Sequence, residues 1–274
     1  MVPGCPRVAI LGVMLFAAAC GDDGSPQMCP APVDRPPDPD APMWSYSGAE
    51  DGPEDWGSIP GFSQCGTGNE QTPIDIPTGS TVSSDAPLRF DGYDAAISLT
   101  VLNNGYTPQG NYAQAGGDAD PRISYAGKTY RLLQLHGHST SEHRVDGRSF
   151  AYELHLVHQA DDLSLAVVGI FYEIGAPDET LELLLGNDPG AFKETTCEVE
   201  LDLGEVVPDA GGFYHYNGSL TTPACGEGVS WFVMKDPRTV AATQVEAYQE
   251  LFGGTTNRPV QPLGERTVWS YHAP

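Results

Sequence analysis

The sequence predicts a mainly β (α+β) protein, built as a single domain in which one large sheet carries a few peripheral helices. Between Thr81 and Ala126, short apolar stretches alternate with Asn-Asn-Gly and other glycine-rich turns, a pattern typical of short strands. Residues 164–171 form a continuous β-rich run that indicates a buried central strand. Helical patterns are few: one covers Asp178 to Leu185, and a clearer one covers Arg238 to Leu251, before Gly253-Gly254. A chain of 274 residues with 40% hydrophobic content can form one large core.

Residues 1–20 have the pattern of an export signal. Arg7 precedes an apolar run from Val8 to Ala19, which is too short to span a membrane. The run ends in Ala17-Ala18-Ala19-Cys20, which resembles a bacterial lipoprotein cleavage site with Cys20 as the lipidated residue. Ordinary signal cleavage is the alternative. Both interpretations predict export to the periplasm or cell surface, and the first predicts a lipid anchor as the contact with a membrane.

Residues 21–43 predict an extended tether. They contain seven prolines and five aspartates but no aromatic side chain. A proline-rich segment with so few apolar side chains cannot bury a core, and it favours a semi-rigid spacer. The folded domain is therefore predicted over residues 44–274.

The net charge limits the kinds of partner. With 13 Lys and Arg against 37 Asp and Glu, the formal charge is −24, which argues against nucleic acids and anionic membrane surfaces. A small neutral substrate is compatible with this charge.

Two histidines are predicted to share one face of a strand. The segment 133–138 reads Leu-Gln-Leu-His-Gly-His. Because side chains alternate along a strand, Gln134, His136 and His138 lie on one side, and Leu133 and Leu135 lie on the other.

A tight turn is predicted to bring a third histidine to this pair. Asp146-Gly147 is the strongest short hairpin signal in the chain, so the chain should fold back antiparallel there. On the returning strand, Glu153, His155 and Val157 share a face, and His158 lies on the opposite one. In the right register, His155 meets the first two histidines.

Three neutral imidazoles with an open fourth position suit a catalytic zinc ion, which lowers the pKa of its bound water to about 7. A structural zinc site would be closed, usually by thiolates. Gln134 and Glu153 each lie two residues before a histidine on the same face, so they are predicted to fix ring orientation and tautomer. The sequence thus predicts a Zn²⁺ site at His136, His138 and His155.

These residues resemble the alpha-class carbonic anhydrases. Ser141 to Val157 is similar to the family's long signature, which reads Ser-Glu-His, a variable stretch, an aromatic residue, Glu-Leu-His and two apolar residues. A second block, Tyr216 to Pro223 followed by Trp231, is similar to the family's threonine loop. With smaller similarities at Trp44 and Arg258-Pro259, the resemblance spans about residues 44 to 272.

The resemblance implies a fold and an activity. The fold would be a twisted, mostly antiparallel central sheet of about ten strands with a few peripheral helices. The activity would be the reversible hydration of carbon dioxide to bicarbonate and a proton, by attack of zinc-bound hydroxide on CO₂.

The resemblance also implies roles for single residues. Thr221 resembles the threonine whose hydroxyl accepts a hydrogen bond from zinc-bound hydroxide and donates its own proton to a buried carboxylate, here Glu142. Thr222 would lie beside bicarbonate. The apolar wall where carbon dioxide waits is matched by Val157, Val167, Leu220, Val229 and Trp231.

Three positions depart from the family pattern. Tyr106 stands where the fastest members carry a histidine that transfers protons, and a phenol with a pKa of about 10 is a poor proton shuttle. Gly137 replaces an aromatic residue between the first two ligands, and Ser139 replaces a tryptophan. Both replacements are expected to loosen the packing beneath the metal.

Four cysteines lie beyond the leader, which suits disulfides in an oxidising compartment. In exported members of the resembled family, a cysteine before the Gln-Thr-Pro-Ile block pairs with one after the threonine loop, and these match Cys65 and Cys225. Cys29 and Cys197 would then pair, or Cys29 would remain free in the tether.

Two other functions stay open from the sequence. One is a non-catalytic binding protein on the same fold, whose usual mark is a lost zinc histidine, whereas all three are present here. The other is a zinc hydrolase with a different substrate, although no second carboxylate accompanies the ligands as in His-Glu-x-x-His enzymes.

Overall fold

The structure is a computed structural model that describes residues 29–207 and 212–272. The predicted signal peptide and its Cys20 lie outside the described residues. Within the described ranges, none of the helices has the length and apolar character needed to cross a membrane.

Seventeen strands and three α-helices occur within residues 29–207 and 212–272. In chain order, the strands are β1 (Val33–Asp34), β2 (Asp75–Ile76), β3 (Val82–Ser84), β4 (Arg89–Asp91), β5 (Ala96–Asn103), β6 (Pro108–Tyr112), β7 (Arg122–Tyr125), β8 (Lys128–His138), β9 (Arg144–Val145), β10 (Tyr152–Gln159), β11 (Leu165–Ile174), β12 (Lys193–Glu194), β13 (Val199–Asp202), β14 (Phe213–Ser219), β15 (Glu227–Met234), β16 (Arg238–Val240) and β17 (Trp269–Tyr271). The helices are α1 (Gln64–Thr67), α2 (Glu179–Gly186) and α3 (Ala242–Phe252).

One large mixed sheet forms the centre of the molecule. Its main path runs β1-β12-β5-β6-β8-β10-β11-β15-β14-β17-β3, and β4, β7, β13 and β16 pair beside it. Most neighbours are antiparallel, but β11 is parallel to β15 and β16, and β17 is parallel to β3. The prediction of a large, mostly antiparallel sheet is confirmed.

The core divides into two clusters. The helix-side cluster combines Leu135, Leu154 and Leu156 of the central strands with Leu181 of α2 and Tyr248 of α3. The cavity-side cluster includes Val157, Val167, Phe171, Tyr216 and Trp231. Burial of each such side chain contributes about 1.5–3 kcal/mol, so β8, β10 and β11 are held from both sides.

Both predicted helices are confirmed, with different starts. Asp178 caps the first turn of α2, because its Oδ1 accepts the backbone N–H of Leu181 at 2.9 Å. Helix α3 begins four residues later than predicted because Arg238–Val240 forms β16. It ends at Gly253, whose φ of 71° is the left-handed conformation of a helix C-cap.

Part of the predicted tether belongs to the fold. Val33 and Asp34 pair with Glu194 and Lys193 at the edge of the sheet, and Arg35 Nε donates to Glu194 Oε2 at 2.8 Å. The compact unit accordingly begins at Pro32, before the predicted boundary at residue 44. The tether prediction rested on missing apolar side chains, whereas edge pairing uses backbone groups and needs no side-chain burial.

The predicted turn at Asp146-Gly147 is present. Both residues have positive φ, 48° and 81°, and Val145 and Arg148 exchange two backbone hydrogen bonds across it. The strands beside this turn are short, however, and β8 and β10 are joined by the longer segment 139–151. The predicted antiparallel return of the chain is confirmed in the pairing of β8 with β10.

Strand β8 departs from strict alternation at Leu133. The register between β8 and β10 shifts between Val157 and His158, which leaves Leu133 as an extra residue on β8. As a result, Leu132 joins Leu135 in the helix-side cluster, and Leu133 packs against the cavity-side cluster. The prediction that Leu133 shares a face with Leu135 is wrong for this reason.

Candidate metal centre

The three predicted histidines lie together on the central strands. His136 and His155 stand opposite each other on β8 and β10, and His138 is two residues further along β8. Their ring centroids are 5.1 Å (His136–His138), 5.3 Å (His136–His155) and 4.8 Å (His138–His155) apart. One nitrogen from each ring lies within 4.8 Å of the other two, an arrangement that could hold a metal ion.

The first two rings have their Nδ1 atoms engaged. His136 Nδ1 donates to Gln134 Oε1 at 2.8 Å, and His138 Nδ1 donates to the backbone carbonyl of Thr256 at 2.7 Å. Both partners are acceptors, and a neutral imidazole has one N–H. The Nε2 atoms of both rings therefore keep a free lone pair.

The third ring uses its other nitrogen. His155 Nε2 donates to Glu153 Oε1 at 2.9 Å, which leaves Nδ1 with the lone pair. Glu153 is fully buried and also accepts His143 Nδ1 at 2.7 Å and the backbone N–H groups of Glu142 and His143. Burial alone raises the pKa of Glu153, but His143 and His155 bring it well below its usual range, so Glu153 remains a carboxylate.

Burial also keeps the rings of His136 and His138 neutral. It lowers the pKa of His136 well below its ordinary value of 6.5, and the neighbouring imidazoles of His138 and His155 add to this effect. Burial lowers the pKa of His138 too, although the Glu142 carboxylate opposes it. Neutral imidazole is the form that binds a metal ion.

The residues present fit a zinc ion. His138 Nε2 is buried and has no hydrogen-bond partner among the described residues. A buried polar atom without a partner is costly, and coordination of a cation would satisfy it. Three imidazole nitrogens are a donor set typical of catalytic zinc.

Thr221 and Glu142 border this centre, but the hydrogen bond predicted between them is not formed. Glu142 Oε1 accepts the backbone N–H of Arg258 at 2.9 Å. Glu142 Oε2 has no hydrogen-bond partner among the described residues, and it lies 3.6 Å from His138 Nε2 and 4.0 Å from His155 Nδ1. The carboxylate thus faces the imidazoles, and one of its oxygens remains available.

A cavity of about 230 Å³ opens over the histidines. The predicted pocket residues that line it are Val157, Val167, Leu220, Thr222 and Trp231, with Thr221 beside them. Val229 was also expected in this wall, but it is buried in the cavity-side cluster and does not reach the cavity. It shares a face of β15 with Trp231, and its side chain is much shorter than the indole.

The cavity has further lining residues that were not predicted as pocket residues. They are Trp44, Tyr46, Asn104, Thr107 and Gln109. Gln109 stands opposite His136 on the neighbouring strand β6, so the pairing of β6 with β8 would have indicated it. Tyr106 also lines the cavity and stacks flat on Trp44, with ring centroids 3.7 Å apart and planes 8° apart.

A family model described as eukaryotic-type carbonic anhydrase matches residues 51–272, which is most of the chain. The chain belongs to the alpha carbonic anhydrase family. The enzyme is therefore a zinc-dependent catalyst of carbon dioxide hydration, as the resemblance implied.

Known relatives agree with this assignment. A carbonic anhydrase of Nostoc sp. is 39% identical over 232 residues, which cover 82% of this chain and 84% of the relative. The Photobacterium profundum alpha-carbonic anhydrase is 36% identical with a TM-score of 0.73, covering 83% of this chain and 100% of that one. The alpha-carbonic anhydrase from Thermovibrio ammonificans, in complex with the inhibitor sulfanilamide, is 34% identical with a TM-score of 0.76, covering 84% and 99% of the two chains.

The packing at Gly137 and Ser139 is not loosened in this enzyme. A Cβ atom on Gly137 would lie 1.8 Å from Tyr152 Oη, so the Tyr152 ring on β10 already fills that space. Ser139 is fully buried, and its hydroxyl accepts Gln249 Nε2 at 2.8 Å. The expectation of loose packing is wrong because neighbouring strands and α3 supply the missing volume.

The predicted Cys65–Cys225 disulfide is present and joins residues 160 positions apart. Cys225 also donates its backbone N–H to the Thr222 carbonyl at 2.8 Å, so the bond braces the loop that carries Thr221. Cys29 and Cys197 are disulfide-bonded as well, which excludes a free Cys29.

Proposed function

We propose that His136, His138 and His155 hold the zinc ion of this carbonic anhydrase through Nε2, Nε2 and Nδ1 respectively. The observation that carries the proposal is that each ring donates its single N–H to a separate acceptor, while one nitrogen from each ring lies within 4.8 Å of the others. Zinc bound there supplies a hydroxide nucleophile near neutral pH by lowering the pKa of water to about 7.

Thr221 and Glu142 orient the nucleophile in this proposal. A hydroxyl group has one proton, so a Thr221 that donates to Glu142 presents its lone pairs as an acceptor. Glu142 Oε2 is available for that proton, because it has no other partner among the described residues. An acceptor at Thr221 fixes the direction of the nucleophile's own proton and thereby aims its lone pair at the substrate carbon.

The cavity presents apolar side chains to the substrate and a polar side chain to the product. Val157, Val167, Leu220 and Trp231 form an apolar wall suited to carbon dioxide, which is neutral and weakly hydrated. Thr222 lies at the same wall, and we assign it to bicarbonate.

Among the lining residues other than the histidines, only Tyr46 and Tyr106 titrate, and burial raises the pKa of both. Proton release therefore depends on buffer molecules that reach the cavity.

The roles of Thr221 and Glu142 can be tested apart from zinc binding. We expect Thr221→Val and Glu142→Gln to retain zinc but to lose about 100-fold in kcat/KM, a typical cost of one missing orienting hydrogen bond in an active site. Thr239→Val, at an exposed position on β16, is the matched control and should leave kcat/KM unchanged. Full activity in Thr221→Val would contradict the assignment.

For localisation, we propose an exported lipoprotein anchored through Cys20. Its support is the leader sequence together with disulfides at all four cysteines beyond the leader, since such bonds persist in oxidising compartments.

A further inference from the structure

We propose that Tyr248 is a positioning residue for the metal centre: its hydroxyl holds the Gly137 carbonyl, which lies between two zinc ligands, and so slows zinc loss. The inference rests on the proposed zinc ligands His136 and His138. It concerns a residue on α3 that does not line the cavity.

The Gly137 carbonyl lacks a donor from the sheet. Strand β6 pairs with β8 up to Gln109 opposite His136, and one further step places Pro108 opposite Gly137. Proline has no backbone N–H, so the ladder cannot continue there. A backbone carbonyl at the centre of a large sheet is costly to leave unpaired.

Two buried hydroxyls replace the missing donor. Tyr248 Oη lies 2.5 Å and Thr107 Oγ1 lies 3.0 Å from the Gly137 oxygen. Tyr248 is fully buried and does not line the cavity, so water does not take its place, whereas Thr107 is nearly fully buried at the cavity wall. The carbonyl between the two ligands is therefore held by Tyr248 of helix α3 and by Thr107, which directly precedes β6.

The same hydroxyl contacts the residue that orients His138. Tyr248 Oη lies 3.2 Å from Thr256 Oγ1, and the Thr256 carbonyl accepts His138 Nδ1 at 2.7 Å. Thr256 Oγ1 already accepts the backbone N–H of Ser139 at 3.2 Å. With one proton per hydroxyl, Thr256 donates to Tyr248 and Tyr248 donates to Gly137. Tyr248 thus supports His138 in two ways. It holds the Gly137 carbonyl directly before His138, and it contacts Thr256, whose own carbonyl accepts the ring N–H of His138.

The chain offers a matched control in Tyr152. This tyrosine is also fully buried, lies against the same Gly137, and has its ring centroid 5.4 Å from that of Tyr248. Its hydroxyl, however, has no hydrogen-bond partner among the described residues. The change from Tyr to Phe therefore removes three contacts at position 248, with Gly137, Thr107 and Thr256, and none at position 152.

The experiment measures zinc release from the full-length, zinc-loaded protein into an excess of a coloured chelator. We expect Tyr248→Phe to lose zinc about tenfold faster than the wild type, the scale of effect typical for residues that support metal ligands. Tyr152→Phe should release zinc within about twofold of the wild-type rate. A general loss of packing would accelerate both variants equally.

Equal release from Tyr248→Phe and the wild type, or equal acceleration in the two variants, would overturn the inference. If Tyr248→Phe does not fold, Thr107→Val removes the other donor to Gly137 and should also accelerate release, and an unchanged rate would overturn the inference equally. Zinc content of the wild type is measured first. A wild type without zinc contradicts the proposed ligands and the inference together, whereas loaded wild type with unaffected variants contradicts the inference alone.

Discussion

The position of one proton on each imidazole decides what the centre can bind. Gln134, the Thr256 carbonyl and Glu153 each accept the N–H of one ring, so the remaining nitrogen keeps its lone pair. Each acceptor also fixes the rotation of its ring. Such fixed tautomers and ring orientations raise the affinity of a histidine site for zinc.

We predict that Tyr106 limits how fast a proton leaves the cavity. Its ring stacks on Trp44, and burial raises its pKa above 10, so it stays protonated near pH 7. We expect Tyr106→His to raise the maximal hydration rate in weak buffer by about tenfold or more, because an imidazole titrates in this range. Stopped-flow hydration at low and high buffer concentration measures the effect. Tyr106→Phe is the control and should match the wild type, and no gain from histidine would contradict this role for Tyr106.

His158 makes stability depend on pH. It lies on the opposite face of β10 from His155, fully buried, with Nε2 2.5 Å from Tyr93 Oη. Burial lowers its pKa from 6.5 to about 3. The unfolded chain therefore binds a proton that the folded chain excludes between these two values, and stability falls as pH falls through that window.

The loss of unfolding free energy that is due to His158 can be measured separately. Between pH 7 and pH 5 it should amount to about 2 kcal/mol of unfolding free energy. His158→Gln should flatten the pH dependence by that amount, measured by urea unfolding at the two pH values. Parallel curves for the wild type and His158→Gln would show that the proton is not excluded at this site.

At the scale of elements, a large side chain on β10 compensates for a missing side chain on β8, next to the three histidines. Gly137 has no side chain, and the Tyr152 ring occupies the space that one would need. We expect Gly137→Ala to destabilise the wild type by about 1–3 kcal/mol through overpacking, and to cost much less in a Tyr152→Leu background. Urea unfolding of the four proteins gives the coupling. An equal cost in both backgrounds would mean that Tyr152 does not set the available space.

The same two strands show what a sequence can and cannot predict. His136, His138 and His155 were predictable because alternation along each strand and the turn at Asp146-Gly147 place them on one face. The bulge at Leu133 was not predictable, because an extra residue does not change the pattern of polar and apolar side chains in a recognisable way. Thr256 was not predictable either, because it contributes a backbone carbonyl that any residue possesses.

At the scale of the whole molecule, segments that are distant in sequence meet at Arg258, next to the histidine centre. The guanidinium of Arg258 donates to the carbonyls of Cys65 and Thr72, while its backbone N–H holds Glu142. The Cys65–Cys225 disulfide joins this assembly to the threonine loop. The family resemblance predicted the disulfide, but local sequence patterns could not predict the Arg258 contacts because they depend on the path of the chain through the sheet.

Three histidines, His136, His138 and His155, are proposed to hold the zinc ion with which this enzyme hydrates carbon dioxide. The most direct test is zinc content and stopped-flow hydration measured on the same sample of wild type and of His138→Ala. The wild type should contain about one zinc per chain and show fast, buffer-dependent hydration, and His138→Ala should lose both. Zinc bound without hydration in the wild type, or undiminished hydration in His138→Ala, would contradict this role of the three histidines.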